Sequence, residues 1–196
     1  MLSLFISFLV LLNPIALFVY LLPIIKDQGN GHFKSILLRA SIISGTIYIL
    51  FALFGGQAFE LLGVNFEAFR VFGGIVLVSF ALSFILQGKQ SMITTRGELS
   101  KIAAEVALPF IVGAGTITLS IIVGDELKTI PAVITIFLVM TANYIIIVIL
   151  GLFRQSLNTK FQVVFDKNSE ILLRMNGFIV GAYGVNLIFQ GIKSLF

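Results

Sequence analysis

Asn13 and Pro14 stand side by side inside the apolar run LLNPIALFVYLLP (residues 11–23). About a hundred residues later, LPFIVGAGTITLS (108–120) carries Pro109, Gly113 and Gly115, followed by Thr116, Thr118 and Ser120. Proline removes a backbone donor and crowds the carbonyl four residues earlier, so both runs break a helix that their composition otherwise favours. In hydrocarbon, the amides and carbonyls freed by such a break are costly unless protein, water or a ligand fills them. Each restarted half-helix aims free amides and a positive dipole end at the break, which suits a carboxylate. An amino-acid zwitterion fits this chemistry: the amides around Ile15, Ala16, Ala114, Gly115 and Thr116 would hold its carboxylate. The Asn13 side-chain carbonyl, with main-chain carbonyls released by Pro14 and at Gly113, would hold its ammonium group. Gly73, Gly74, Gly113 and Gly115 leave space that favours glycine, alanine or serine over larger substrates. Asn143 and Asn186 are further candidates to line the path, each with an ordinary interhelical hydrogen bond as its alternative role. Glu105 is the one acid placed to act inside the membrane, either carrying a proton or serving as a helix-start carboxylate facing Lys101.

The elements that must position these residues follow from composition. Of 196 residues, 58% are apolar and 11% charged, and the mean hydropathy is +1.09, against roughly 25% charged residues in a soluble domain. Apolar runs at about 2–25, 36–58, 68–87, 102–123, 130–153 and 171–192 are each long enough to span a bilayer and do not alternate as barrel strands do. The expected fold is therefore all-α: a polytopic membrane protein of six transmembrane helices forming one transmembrane domain over 1–196. The first 25 residues lack a basic start and a small-residue cleavage site, so they read as a retained span and not a signal peptide. Ten lysines and arginines fall in or beside the first, third and fifth connections, among them Lys26, Lys34, Arg39, Arg96, Arg154 and Arg174. Arg70, Lys128 and Lys193 lie on the other side. The positive-inside rule then makes those three connections cytoplasmic and puts both termini outside.

A repeat organises the spans. LRMNGFIV (173–180) matches FRVFGGIV (69–76), pairing Arg174 with Arg70 and Gly177 with Gly73. With three helices between the copies, the halves, about 1–90 and 100–196, must insert with opposite orientation. The result is a three-plus-three inverted repeat whose interrupted helices are the first and the fourth. Gly177, Gly181 and Gly184 mark a close helix contact, internal to the bundle or at the face of a homodimer.

Other chemistries find little support. With zero cysteines and one histidine, disulfides and Cys or His metal sites are not expected. The acids sit at the edges of spans, not paired at the midplane, so neither a metal site nor a cofactor is expected. An intramembrane enzyme would want an Asp pair, a His cluster or a Ser-His or Ser-Lys arrangement, so the chain reads as no enzyme. The net charge of +4 is explained by topology, with the lipid bilayer and not nucleic acid as partner.

The Asn-Pro break, FRVFGGIVLVSFAL in the third span, ALPFIVGAGTIT in the fourth and LRMNGFIVGAYGVNLIFQGI at the end together resemble the MarC family of prokaryotic inner-membrane proteins, over essentially the whole chain. That family includes small neutral amino-acid transporters and is similar to the wider LysE-type exporters. The resemblance implies a secondary transporter of small neutral amino acids in the cell membrane; the inverted halves suit alternating access around a midplane site, with a proton or a sodium ion as the candidate coupling ion, which the sequence does not decide. Export of another small metabolite and a non-transporting structural or regulatory role are the alternatives. Two departures stand out: the family commonly has Asn-Pro-x-Gly where this chain has Asn13-Pro14-Ile15-Ala16, and Gly-Pro-Gly where it has Gly113-Ala114-Gly115. Unwinding of the fourth helix then rests on two glycines.

Overall fold

The computed structural model describes residues 1–88 and 111–195, with backbone only at 20, 23, 24 and 26–30. Every element among them is a helix, as required of a chain that must satisfy its own backbone in lipid: α1 (Leu2–Leu12), α2 (Pro14–Leu61), α3 (Phe66–Gln87), α4 (Ala114–Glu126), α5 (Thr129–Ser156) and α6 (Thr159–Leu195). Five stretches are long and apolar enough to cross a membrane: Leu2–Val19, Gly31–Leu61, Phe66–Gln87, Thr129–Ser156 and Thr159–Leu195. The 13-residue α4 supplies one half of the expected fourth span. Its other half, with Lys101, Glu105 and Pro109, lies outside the described residues.

Two expected connections are helical instead. The first, at 26–35, falls within the 48-residue α2. A straight helix would put Tyr48 about 50 Å from Pro14. Phe8, six residues before that proline, can reach only about 21 Å from it even in an extended chain. Yet the Phe8 and Tyr48 rings lie 5.0 Å apart, edge to face. Phe18 reaches Phe165, which stacks on Phe153, and Phe33 meets Gly151, so residues 18 and 33 lie at one end of the bundle and α2 doubles back between them. Its two arms are the second half of the first span and the whole of the second. The fifth connection, expected over 154–170, shrinks to Leu157 and Asn158. The Asn158 side chain accepts from the Phe161 amide at 3.1 Å and starts α6 there. Phe165, Asp166, Ser169 and Leu173 follow at helical spacing and turn inward.

Helices α3 and α6 form a closely packed antiparallel pair that touches through glycines. A Cβ added at Gly191 would lie 2.9 Å from the Glu67 carbonyl. One at Gly184 would lie 2.8 Å from the Gly74 carbonyl, and one at Gly177 3.0 Å from that of Ala81. Numbers rise along α3 as they fall along α6, the arrangement that equivalent helices of inverted halves must adopt. The small residues of α6 are thus used inside the chain's own bundle, where backbone-to-backbone approach replaces the hydrophobic drive missing in lipid. The second arm of α2 packs on α5 through Gly45 against Met140 and Phe33 against Gly151, and on α4 through Gly124 against the Ala52 carbonyl.

Candidate functional site

Asn13 adopts the left-handed conformation (φ 53°, ψ 66°), which asparagine tolerates better than most residues. It ends α1, its amide donating to the Leu9 carbonyl at 3.2 Å, and it starts α2, its carbonyl accepting from Leu17 at 3.0 Å. The side-chain oxygen caps α2 by accepting from the Ala16 amide at 3.1 Å, and it also accepts from the Asn176 side-chain amide. Pro14 follows at the first helical position, where a missing donor costs nothing. The break is thus a one-residue junction. This corrects two sequence-based assignments: the Asn13 oxygen is occupied and cannot serve as the ammonium acceptor, and the Ala16 amide is not free. What Asn13 offers is its side-chain NH2, buried and without a partner among the described residues. Ile15 is 36% exposed, its side chain turned out of the core.

At the second break the chain is extended at Gly113 (φ −106°, ψ 165°) and helical again from Ala114. The restart survives the loss of the family's proline, and alanine at this first position adds an amide that proline would lack. Thr116 holds the turn: its hydroxyl oxygen accepts from the Gly113 amide at 2.9 Å, and its proton faces the Ile111 and Gly113 carbonyls at 3.1 and 2.9 Å. The Tyr48 hydroxyl donates to the Ile111 carbonyl at 2.6 Å. The Thr116 hydroxyl is therefore structural, while the first-turn amides of Ala114, Gly115 and Thr116 have no partner within the helix.

The α3–α6 pair joins the breaks. A Cβ at Gly73 would lie 3.1 Å from the Ala114 carbonyl carbon and 3.2 Å from the Gly115 nitrogen. Asn176, which bonds Asn13, is the neighbour of Gly177, the residue that the repeat matches with Gly73. Gly73 and Gly74 thus leave no open space: neighbouring backbone fills it, Gly184 at Gly74 and the start of α4 at Gly73. The sequence alone does not single out Asn176, because its match in the first half is the apolar Phe72. Its signal was a lone amide amid apolar residues two positions after Arg174.

Asn143 is fully buried, and neither atom of its amide has a partner among the described residues; the same holds for the Ser44 hydroxyl. Contacts fix their level. From the Phe8–Tyr48 contact, Asn13 lies five residues and Ser44 four residues toward the reversal of α2, about 7.5 and 6 Å. From the Gly45–Met140 contact, Asn143 lies three residues the same way, about 4.5 Å. By this count Asn13, Ser44 and Asn143 fall within about 3 Å of one level, with the Gly113 break about one turn away beside Tyr48; the Ser41 and Thr118 hydroxyls are also buried and without a partner among the described residues. Asn186 is not among them: it is exposed on α6, where its side-chain oxygen accepts from Gln190 at 3.4 Å. Glu105 falls outside the described residues.

The family model described as "MarC family integral membrane protein" matches residues 1–196. A UPF0056 membrane protein of Aquifex aeolicus is 25% identical, the match covering 97% of this chain and 91% of that protein. The UPF0056 membrane protein YhcE of Escherichia coli is also 25% identical, over 98% and 91%. A third UPF0056 membrane protein, from Methanocaldococcus jannaschii, is 28% identical over 98% and 86%. No solved structure matches the chain. With its apolar helices, its two junctions and a match from the first residue to the last, the chain belongs to the MarC family of integral membrane proteins.

Proposed function

We propose that the protein is a secondary transporter of small neutral amino acids, with two inverted halves, 1–90 and 100–196, rocking about a site between the helix breaks. One observation carries this reading: Asn13, Ser44 and Asn143 hold buried polar groups without partners among the described residues, at levels that helical rise puts within about 3 Å of one another. Unpaired polar groups in a bundle interior are costly unless something binds them. The donors, the Asn13 NH2 and the first-turn amides of α4, suit a carboxylate. The Asn143 carbonyl, in place of the Asn13 carbonyl expected from sequence, suits an ammonium group. The absence of a described charged side chain among these groups favours a substrate whose own charges cancel. The distribution of basic residues supports a cell-membrane location with termini outside.

Proteoliposome uptake and counterflow of labelled glycine and alanine, with and without imposed proton and sodium gradients, test the reading. Flux is expected under at least one gradient, and its absence under all would defeat the proposal. Asn143→Leu supplies the site test. Replacing an unpaired buried amide with a similar-sized apolar group raises the melting temperature of the ligand-free protein, while glycine no longer stabilises it. A retained glycine-induced shift would remove Asn143 from the site.

A further inference from the structure

A buried ion pair on the side of the bundle toward which α2 reverses plays no part in the substrate layer. Arg154, in the last turn of α5, makes a two-pronged contact with Asp166 of α6: its Nε lies 2.7 Å from Oδ1 and its Nη2 3.0 Å from Oδ2. The two side chains are only 9% and 10% exposed. The residues next to them also meet: the Phe153 and Phe165 rings stack edge to face at 5.7 Å, and Phe165 stacks in the same way on Phe18 at 5.9 Å. Phe18 lies five residues past Asn13, about 7.5 Å along the first arm of α2 toward its reversal. Three elements thus converge on this side of the substrate layer, with Arg154 eleven residues past Asn143, about 16 Å along α5, and the second arm joins them where Phe33 meets Gly151.

Desolvation of a buried ion pair offsets much of its attraction, so such a pair is a poor device for stability alone. It is well suited to a contact that must be either fully made or fully broken. The opposite end of the bundle differs: Arg70 there pairs at 3.2 Å with Glu67 of its own helix and ties no two elements together. Aromatic contacts do occur at that end, Phe59 packing against Phe66 and Phe69.

We propose that Arg154–Asp166, with the Phe18–Phe165–Phe153 stack, is the gate that closes the substrate layer from the face carrying the α5–α6 corner, and that this structure is closed on that face. The inference rests on the transport reading and adds its gating. Helix α6 couples the two: Asp166 sits at the gate and Asn176, ten residues on, bonds Asn13 in the substrate layer. A ligand that competes for the Asn13 and Asn176 amides therefore biases the rod that holds the gate shut. The two-residue link at Leu157 and Asn158 is the hinge.

The natural absence of cysteine allows a direct test. A Ser44→Cys reporter in the substrate layer is exposed to a membrane-impermeant methanethiosulfonate reagent from each face in turn. The gated face is defined as the one at which a separate Ser156→Cys variant reacts. The reporter should react slowly there in the otherwise native chain and about tenfold faster with Asp166→Asn, as expected when a closed state loses its lock. The charge-swapped pair Arg154→Asp with Asp166→Arg should restore slow reaction. An unchanged rate in Asp166→Asn, a swap that stays fast, or an equal rise from both faces would overturn the gate; the last would mark a fold staple. The readout needs no substrate: a gate that behaves as expected in a protein without glycine flux would defeat the transport reading and not the gate.

Discussion

Substitutions at Asn13 separate two roles that the residue combines. Its left-handed backbone asks for Asn or Gly, and its side chain caps α2 and presents the buried NH2. Asn13→Gly keeps the backbone comfortable and loses only a few tenths of a kcal/mol of capping. Asn13→Ala loses the cap, about 1 kcal/mol, and keeps a Cβ in the left-handed region without the polar side chain whose local hydrogen bonds make that region tolerable for asparagine. Thermal melts in detergent should therefore rank native above Gly above Ala. Glycine-induced stabilisation should be lost equally in both variants, because both lack the NH2. Equal melting temperatures for Gly and Ala would mean that the strained backbone is not what Asn13 supplies. The sequence showed this residue plainly, since Asn-Pro within a span has few uses. It did not show which atom was free, because that depends on Asn176, 163 positions away.

At the scale of elements, the glycines of α3 and α6 decide how close two helices come. At Gly184 an added Cβ would meet the Gly74 carbonyl at 2.8 Å and the Val78 nitrogen at 3.0 Å, backbone atoms that cannot turn aside. Gly56 of α2 has nothing within 4 Å of the same position. Gly184→Ala should thus destabilise by about 1–3 kcal/mol through overpacking. Gly56→Ala should be neutral or gain up to about 1 kcal/mol from helix propensity. Denaturation in mixed micelles compares them, and equal effects would refute the close α3–α6 approach. Spans and breaks were legible because apolar runs and Asn-Pro are local signals. The helical course of α2 through 26–35 and the early start of α6 were not. Both segments are polar enough to resemble loops, and the inward stripe Phe165, Asp166, Ser169 and Leu173 includes two polar residues that only the Arg154 partnership and helix packing bring inside. A charged residue reads as surface until its partner is known, which is why Arg154 was counted only as a topology marker.

For the whole molecule, the reversal of α2 decides the parity of the fold. The Phe8–Tyr48 contact makes the two arms run in opposite directions, and the bond of Asn13 with Asn176 and the stacking of Phe18 on Phe165 leave both termini at the end of the bundle away from the reversal. If α2 were a single rod, the count of crossings would fall by one and the termini would part. The clustering of ten of the thirteen basic residues on one set of connections agrees with termini on one face. Single cysteines placed at Ser3 and at Ser194 should therefore both react with an impermeant maleimide in right-side-out vesicles. One at Ser156, exposed beside the α5–α6 corner, should react only when the membranes are inverted. Reaction of Ser3 and Ser194 from opposite faces would break the inverted-repeat architecture, because two halves of three spans each return the chain to the face from which it started. The same reversal brings Asn13, Ser44 and Asn143 to one level, so an odd count would dissolve the substrate layer along with the symmetry.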